Sequence, residues 1–455
     1  MRAQDQPPDG PVYIVQEGDS LWDIAVRFGV SMQDLQTANG MSDPNQLTLG
    51  ASLRIPGLEG IQGVLVTQRV GLGESLQSIS RRLGVSVETL ARLNHLTSPA
   101  ELYAGATLVV PQKESGAAAT RRASLAPGLS PLELAVLENT NPWTIVLAND
   151  LAGQEAIIPG VVYHLPAEAA QTADGTAPSA LPAAIQKIRL TPERIVQGQA
   201  VEILVEGQPG MQLHGALAGR EFDFYEDGPA ETPGLTRYVA LQGIHAMLDP
   251  GLYPVNLHGT VADGTELAFS QTVFIVGGGY PLDPVLIVSP ETIDPSVTQP
   301  EDAQWMALST PKTPARLWQG QFVSPAPEPY SDCHPSYYGS RRSYNGSPYS
   351  YFHTGLDYCG GVGTQILAPA AGTVVFAGPL TVRGNATMID HGWGVYSAYM
   401  HQSEIKVEVG DQVSPGQVIG LVGGTGRVTG PHLHFEIFVR GVQVDPEVWL
   451  AGVYP

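Results

Sequence analysis

The chain has 455 residues and a formal net charge of −21, with 43% hydrophobic and only 15% charged residues. This length accommodates roughly three domains, and the 52 glycines and 38 prolines favour many short strands and turns over long helices. The acidic balance argues against nucleic acid as a partner, because the chain would repel phosphate backbones, and no run approaches the ~18 consecutive apolar residues of a transmembrane segment.

The amino terminus and the cysteines do not decide in which cellular compartment the protein is located. The start "MRAQDQPPDG" lacks the apolar core of a signal peptide, which is expected of a cytoplasmic protein or of a mature chain whose leader is not part of this sequence. The two cysteines, Cys333 and Cys359, are either free thiols or a disulfide, and a disulfide requires an oxidising compartment.

The first elements form a repeat with a constant offset of 55 residues. The segment "EGDSLWDIAVRFGVSMQDLQTANGMSDPNQLTLGASLRIP" (17–56) aligns with "LGESLQSISRRLGVSVETLARLNHLTSPAELYAGATLVVP" (72–111). The same offset then reaches "PLELAVLENTNPWTIVLANDLAGQEAIIPGVVYHLP", a third and more divergent copy. We therefore predict three related domains, at 11–57, 63–112 and 125–166.

Each copy predicts a short strand, two short helices and a final strand. In the first copy, Ser20 and Ser31 are candidate N-caps, and Gly29 lies between the helices, where a left-handed helix end is easily adopted. This small α/β (βααβ) pattern resembles the LysM carbohydrate-binding module. The resemblance implies binding to N-acetylglucosamine-containing glycans such as peptidoglycan. The alternative is a spacer without a ligand, and in the third copy "LSPL" replaces the "GDSL" turn.

Segments of different character follow the repeats. Residues 167–185 are rich in Ala, Pro, Ser and Thr without periodicity, which indicates a linker. After the linker, the sequence again predicts strands. In "AVEILVEG" (200–207), Val and Ile alternate with Glu and Leu, so the two sets lie on opposite faces of a strand. Strands at this spacing predict an all-β, sandwich-like (Ig-like) domain over 186–277. Residues 278–320, rich in Pro, Asp and Thr, are predicted to be a mostly irregular linker.

The last segment, 321–455, carries two histidine motifs in a mainly-β pattern. In "HLHFEI" the strand period of two places His432 and His434 on one face. In "YFHTGLDYCG", His353 and Asp357 are four apart, and the glycine between them argues against a helix. Two imidazoles and a carboxylate make a zinc site with an open position for water, although other first-row metals suit the same ligands. The turn "GGTGRVTGP" does not predict phosphate binding, because a strand follows it.

Three segments, "HTGLD", "IDHGWGVYSAYMHQ" and "VGDQVSPGQVIGLVGGTGRVTGPHLHFEI", together resemble the lysostaphin-like (LytM-type) zinc metallopeptidases. The resemblance implies a duplicated hybrid motif fold and hydrolysis of peptide bonds in peptidoglycan. It implies one Zn²⁺ per chain with three ligands, His353, Asp357 and His434. His401 and His432 would be the unligated catalytic histidines, one taking the proton of water and the other supporting the charged intermediate or protonating the leaving amine. The sequence does not divide these steps between them.

The same resemblance suggests one substrate-binding residue and shows that one residue common in the family is missing. Arg341 lies where the family often has an arginine, so it would contact substrate, or else it is a solvated surface residue. Some family members place a tyrosine, which stabilises the oxyanion, six residues before the first ligand, and here that position is Ser347. Its role is either absent or filled by another tyrosine, the candidates being Tyr344, Tyr349 and Tyr351.

The resemblance also bears on the cysteines. Cys333 and Cys359 are expected to form a disulfide that pins the loop "SDCHPSYYGSRR" beside the metal. Ligation of the metal by Cys359 is the alternative, but a fourth protein ligand would close the site. The disulfide agrees with a secreted or periplasmic protein associated with the cell wall.

Three hypotheses about function follow. The favoured one is a monomeric zinc endopeptidase that cuts stem or cross-link peptides of peptidoglycan while LysM modules hold it on the glycan. The second is a catalytically silent or autoinhibited regulator of other wall hydrolases, its cleft blocked by residues 278–335 or by the amino-terminal modules. The third, a glycan-binding scaffold, leaves the five-residue constellation without a purpose. D-Ala–diaminopimelate cross-links, glycine bridges and other stem-peptide bonds all stay open as the cleaved bond.

Overall fold

The structure is a computed structural model that describes residues 10–43, 47–58, 61, 63–98, 101–112, 120–126, 128–149, 151–159, 161–166 and 180–454. The chain divides into two units, Met1–Ile188 with Pro254–Val273, and Arg189–Tyr253 with Phe274–Pro455. Most of the predicted linker at 167–185 lies outside the described residues. Within them, none of the helices has the length and apolar character needed to cross a membrane.

The first unit contains the repeats. The elements of its first two copies are β1 (Val12–Ile14), α1 (Leu21–Phe28), α2 (Met32–Asn39), β2 (Ser52–Arg54), β3 (Val64–Arg69), α3 (Leu76–Leu83), α4 (Val87–Leu93) and β4 (Thr107–Gln112). The four strands form one sheet in the order β2-β1-β3-β4. The pairing of β1 is antiparallel with β2 and parallel with β3, so two βααβ copies share a sheet.

Caps define the short helices of these copies. The side chains of Ser20 and Ser31 each accept a hydrogen bond from a backbone N–H three residues on. Gly29 ends α1 in a left-handed conformation with φ of 62°, where a residue with a side chain would be strained. Helices of eight residues are too short to be stable alone, so their ends and their buried faces determine where they form.

The third copy has the same order of elements. They are β5 (Thr120–Ser124), α5 (Pro131–Leu137), α6 (Pro142–Ala148), a 3₁₀ turn (Gln154–Ala156) and β6 (Val162–Pro166). The strands β5 and β6 pair antiparallel in a two-stranded sheet of their own. The divergent copy therefore keeps the βααβ order.

An asparagine at the end of the second helix recurs in all three copies. Asn39, Asn94 and Asn149 each donate to the carbonyl of the residue fifteen positions later and accept from the N–H of that residue. Each therefore joins its second helix to its last strand with two hydrogen bonds. This pair of hydrogen bonds gives a structural reason why an asparagine recurs every 55 residues.

Strands follow one another closely from residue 185 to residue 276. They are β7 (Ile185–Thr191), β8 (Ile195–Val196), β9 (Ala200–Gly207), β10 (Gln212–Leu217), β11 (Arg220–Asp223), β12 (Tyr225–Pro229), β13 (Thr236–Gly243), β14 (Gly251–Thr260) and β15 (Glu266–Val276). Antiparallel ladders join β9 to β13, β12 to β13 and β10 to β11. The Ig-like arrangement of this region stays a prediction.

The rest of the second unit is mainly β. Its elements are α7 (Pro295–Leu308), β16 (Arg341–Arg342), β17 (Tyr351–Phe352), β18 (Leu356–Tyr358), β19 (Gln365–Leu367), β20 (Gly372–Leu380), β21 (Gly384–Gly392), β22 (Val395–Ile405), β23 (Gln412–Val413), β24 (Val418–Val422), β25 (Leu433–Val439), β26 (Val442–Val444) and α8 (Pro446–Ala451). A nine-stranded sheet contains the order β18-β25-β22-β21-β20-β23, and β24 pairs with both β19 and β22. The strands β16 and β17 form a separate pair.

One hydrophobic core lies on this sheet. Its aromatic members are Trp318, Phe322, Tyr358, Trp393, Tyr399, Phe435 and Trp449. Four side chains of β9 and β13 belong to the same core: Ala200, Leu204, Val239 and Leu241. All of β9 is buried, and Ala200 and Leu204 on one of its faces pack in the core that supports the sheet.

The segment 278–320, predicted to be a mostly irregular linker, contains α7 and a 3₁₀ turn at Pro290–Ile293. The side chain of Asp294 caps α7 by accepting from the N–H of Ser296 at 2.8 Å. Pro295 occupies the first turn, where its missing N–H costs nothing. The Asp and Pro residues that suggested irregular structure therefore start a helix here.

Helix α7 is anchored to the sheet through two side chains. Trp305 is fully buried and packs in a cluster with residues of β21, β22 and β25. Glu301 is also buried and accepts hydrogen bonds from the backbone N–H groups of Val382 and Arg383 at 2.9 and 3.0 Å. The segment is thus part of the same packed body as the sheet.

Candidate active site

Strand pairing brings the two histidine motifs together. Asp357 on β18 and His434 on β25 are direct partners in an antiparallel ladder. His353 lies just before β18, after the β16–β17 pair. Residues 77 apart in sequence therefore become neighbours through one register.

Three donor atoms converge at this point. His353 Nε2 lies 3.0 Å from Asp357 Oδ1 and 2.9 Å from His434 Nδ1, and His434 Nδ1 lies 2.8 Å from Asp357 Oδ1. All three side chains are buried. Ligands bonded to a tetrahedral zinc ion lie about 3.3 Å apart, so this spacing is close to that of a zinc site.

The outer nitrogens of the two rings are already engaged. His353 Nδ1 lies 2.8 Å from the carbonyl of Tyr337, to which it donates, and His434 Nε2 lies 3.3 Å from Glu436 Oε1. The inner nitrogens are therefore left with lone pairs that face Asp357, as metal ligation requires. Two nitrogens and one oxygen suit zinc and leave a fourth position for water, so the donor set fits the ion.

The electrostatics of the three ligands are coupled. Burial lowers the pKa of His353 to about 4, which keeps its ring neutral. Burial opposes the charge of Asp357, but the adjacent His353 and His434 hold the pKa of this carboxyl well below its usual value. Burial also lowers the pKa of His434, yet the carboxylates of Asp357 and Glu436 outweigh it and raise that pKa.

His401 and His432 lie beside the three ligands. Their ring centroids are 5.0 Å apart, and the ring of His401 is 6.0 Å from that of His434. His401 Nδ1 donates to the carbonyl of Thr425 at 2.8 Å, and His432 Nδ1 donates to that of Gly430 at 2.9 Å. With Nδ1 protonated, each ring keeps a lone pair on Nε2.

His401 has an unusual backbone. Its φ is 63°, a left-handed conformation that is uncommon for residues other than glycine. The pairing of β22 with its neighbours shifts register close to this residue, and such irregularities redirect a side chain. Burial and the neighbouring His434 and His432 hold the pKa of His401 well below its usual value, so the ring stays neutral.

Four of these five side chains line one cavity of about 510 Å³: Asp357, His401, His432 and His434. His353 is buried and lies within 3.0 Å of two of them, Asp357 and His434. The remaining walls come mainly from residues 283–302, 335–354 and 427–431.

Arg342, and not the predicted Arg341, is the arginine of this pair that lines the described cavity. Arg342 Nη2 donates to Ser336 at 2.8 Å and lies 3.5 Å from Asp357 Oδ2, and its Nε lies 3.3 Å from Asp283. The guanidinium of Arg341 lies over the ring of Tyr280 instead. Consecutive residues of a strand point to opposite sides, so an error of one position changes which side chain faces the site.

Two of the three candidate tyrosines line the cavity, Tyr344 and Tyr351, with ring centroids 5.5 Å apart. The hydroxyl of Tyr349 donates to the carbonyl of Asp283 at 2.8 Å. Ser347, at the family's tyrosine position, accepts from the N–H of Tyr344. An oxyanion role for Tyr344 or Tyr351 stays a prediction.

Glu436 is not among the predicted site residues, although the strand period of two puts it on the same face as His432 and His434. This buried carboxylate contacts His434 Nε2, and it accepts from Thr354 Oγ1 at 2.5 Å and from Trp305 Nε1 at 2.9 Å. It therefore fixes the orientation and tautomer of a proposed metal ligand. Trp305 extends this support to helix α7.

Replacing Glu436 with Gln should weaken zinc binding by about 10- to 100-fold, as loss of an outer-shell partner typically does. Trp305→Phe removes one donor to Glu436 and should have a smaller effect in the same direction. The measurement is competition with a chromogenic chelator. Glu404→Gln is the matched control, since Glu404 is largely exposed; zinc affinity of Glu436→Gln equal to that of the control would contradict the assignment.

A disulfide joins Cys333 and Cys359. Two residues of the loop after Cys333 contact the proposed ligands. The carbonyl of Tyr337 accepts from His353 Nδ1, and the backbone of Ser336 forms an antiparallel β-bridge with that of Asp357. The bond therefore constrains the loop that orients two of the proposed ligands.

Replacing both cysteines with serine should lower the stability of the second unit by roughly 3 kcal/mol, because the bond closes a loop of 26 residues. Thermal unfolding followed by near-ultraviolet circular dichroism reports this loss. Reduction of the wild type should shift the transition to a similar extent. An unchanged midpoint in both cases would show that the bond contributes nothing to stability.

Comparisons with known proteins agree with this geometry. Residues 351–446 match peptidase family M23, and residues 13–56 and 69–111 match the LysM domain. The chain is 47% identical over 94 residues to the DD-carboxypeptidase/endopeptidase Mpg of Neisseria meningitidis serogroup B, and 45% identical over 93 residues to the peptidoglycan DD-endopeptidase ShyA of Vibrio cholerae serotype O1. These matches cover 21% and 20% of this chain and 22% of each relative, so the chain spans about a fifth of their length.

A solved structure of the antimicrobial peptidase lysostaphin from Staphylococcus simulans aligns at 34% identity over 27% of this chain and 49% of that chain, with a TM-score of 0.23. The three-ligand cluster lies within the segment that matches the peptidase family, from His353 to His434. The chain therefore contains a domain of peptidase family M23, preceded by two LysM domains.

Proposed function

We propose that this chain is a zinc-dependent endopeptidase that hydrolyses stem or cross-link peptides of peptidoglycan. The observation that carries the proposal is the convergence of His353, Asp357 and His434 in a cavity that also contains two histidines outside the donor set. The names of the relatives, which include DD-endopeptidases, support a peptidoglycan cross-link as substrate.

The chemistry divides between the metal and the chain. When bound, zinc polarises the scissile carbonyl and lowers the pKa of water towards 7. His401 and His432 each use Nδ1 to contact a backbone carbonyl, which leaves Nε2 as the atom of each ring available for proton transfer. One ring accepts the proton of water and returns it to the leaving amine, and the other, carrying a proton taken up from solvent, donates it as a hydrogen bond to the developing charge. Either histidine can take either role.

The LysM domains supply the second part of the proposal. They would bind N-acetylglucosamine-containing glycan and keep the peptidase close to its peptide substrate, which raises the effective concentration of the bonds to be cut. The chain would act as a monomer at the cell wall, secreted or periplasmic, where its disulfide is stable. Glycan binding by the third copy at 125–166 belongs to the same proposal.

A catalytically silent regulator is the less favoured alternative. Regulators of that kind lack metal ligands, whereas this chain has all three, and both additional histidines contact the cavity. The presence of these five groups together favours catalysis, because a silent regulator needs neither a metal-binding cluster nor two further histidines beside it.

The test is mass spectrometry of the fragments released from purified, cross-linked peptidoglycan by the zinc-loaded full chain. Cross-linked dimers should fall and uncross-linked monomers should rise, chelation should stop the reaction, and added zinc should restore it. Unchanged dimers at full zinc occupancy would refute the enzyme and favour the regulator.

A further inference from the structure

A segment before the matched peptidase region crosses the cavity from one wall to the other. This segment, residues 281–302, is called the strap here. On one side its backbone pairs with residues 341–345, through hydrogen bonds from Asp283 N to Arg341 O and from Leu286 N to Ser343 O, both 2.9 Å. The strap is thus joined to the loop that precedes His353.

The strap is joined to the opposite wall as well. Arg427 Nη1 donates to the carbonyl of Thr292 at 3.0 Å. Glu301 accepts from the backbone of Val382 and Arg383. The strap therefore contacts both walls, and its side chains line the cavity between them.

Three arginines, Arg342, Arg383 and Arg427, line the cavity, and carboxylates neutralise two of them. Arg342 pairs with Asp283 and Asp357. Arg383 pairs with Glu301 and Asp302. The third, Arg427, has a different environment.

Arg427 has no carboxylate within ion-pair distance among the residues that the structure describes. Its contacts are the carbonyl of Thr292 and the ring of Tyr344, whose centroid lies 4.4 Å from the guanidinium carbon. The ring orients the planar guanidinium, and such a pre-oriented fork suits two-point binding of a carboxylate. The chain as a whole has a net charge of −21 and would repel anions. The unpaired positive charge of Arg427 inside the cavity would attract an anionic group there.

We propose that Arg427, Tyr344 and the strap form a subsite for a free carboxylate of the peptide substrate. The inference rests on the proposed function and specifies its substrate class. Two sources share this chemistry, the α-carboxylate at the end of a peptide and the free carboxylate carried by a diaminopimelate residue. Cleavage would then occur near a residue that bears one of them.

The experiment uses three synthetic cross-linked stem peptides and the zinc-loaded full chain. One peptide has both carboxylates free, the second has only its terminal carboxylate amidated, and the third has only its diaminopimelate carboxylate amidated. We expect one of the two amidations to lower kcat/KM of the wild type by about 10- to 100-fold, the effect of losing a hydrogen bond to a charged group. The sensitive position identifies the source.

Variants of Arg427 connect the effect to this side chain. Arg427→Gln should lower kcat/KM for the free peptide to the level of the sensitive amidated one and should lose discrimination between them, chiefly through KM. Arg427→Lys keeps the charge but not the fork, and should be intermediate. Arg194→Gln, at an exposed arginine of the second unit, is the control. Zinc content is measured for each variant, so that a loss of metal is recognised.

The outcomes separate this inference from the proposed function. Equal cleavage of all three peptides by the wild type would overturn the carboxylate subsite and leave the endopeptidase intact. Discrimination that persists in Arg427→Gln would overturn the assignment to Arg427. Failure of the zinc-loaded wild type to cut any peptide, together with intact peptidoglycan, would overturn both proposals.

Discussion

Replacing His434 with alanine should leave a folded chain that neither holds zinc nor cuts peptidoglycan. The substitution removes one of three converging donor atoms and also the contact through which Glu436 supports the site. Zinc affinity should fall by more than the roughly 10–100-fold that follows from mutating an outer-shell partner. Metal analysis after dialysis against a buffered zinc solution measures it, and circular dichroism checks the fold.

The matched control is His258→Ala, because His258 is an exposed histidine of the first unit. It should keep the zinc content and activity of the wild type. A His434→Ala variant that retains one zinc ion per chain would contradict the proposed ligand set. A variant that loses zinc but remains active would contradict the metal's role in the reaction.

Substituting either of the two neighbouring histidines should have the opposite pattern, with zinc retained and activity lost. His401 and His432 contribute no atom to the three-donor cluster, so the metal should stay. General acid–base catalysis by a positioned side chain is worth about 10²–10⁴-fold, and kcat should fall by that factor in each variant. For His401 the suitable substitution is asparagine, which tolerates the left-handed backbone at φ of 63° better than alanine does.

Zinc content and kcat are measured on the same preparations of His401→Asn and His432→Ala. Zinc loss in either variant would mean that the histidine is a ligand. A kcat within a few-fold of the wild type in both variants would remove these side chains from the mechanism and require another proton acceptor in the cavity.

The spacing of two short motifs predicts a metal site, and the resemblance to the peptidase family selects His353, Asp357 and His434 as its ligands. His432 and His434 share a strand face, whereas Asp357 and His434, 77 residues apart, meet only when β18 pairs with β25. The repeats could also be predicted from the sequence, because the serine caps and an asparagine recur at a fixed offset. The strand period and the 55-residue offset can both be recognised without knowing how the strands pair.

Other features depend on long-range packing that the sequence pattern does not contain. The choice between Arg341 and Arg342 depends on which face of a two-residue strand meets the cavity. Helix α7 has capping signals, but its stability comes from burying Trp305 against strands far along the chain. The contact from Trp305 to Glu436 spans 131 residues, and so it appears only once the sheet is assembled.

The most direct test of the account is the position of the metal itself. A crystal of the full chain grown with zinc, measured above and below the zinc absorption edge, should show one strong anomalous peak in the second unit. That peak should lie at bonding distance, about 2.0–2.2 Å, from His353 Nε2, Asp357 Oδ1 and His434 Nδ1, with His401 and His432 farther away. A peak bonded to His401 or His432, or no peak at the three donors in a zinc-saturated crystal, would contradict the proposed active site.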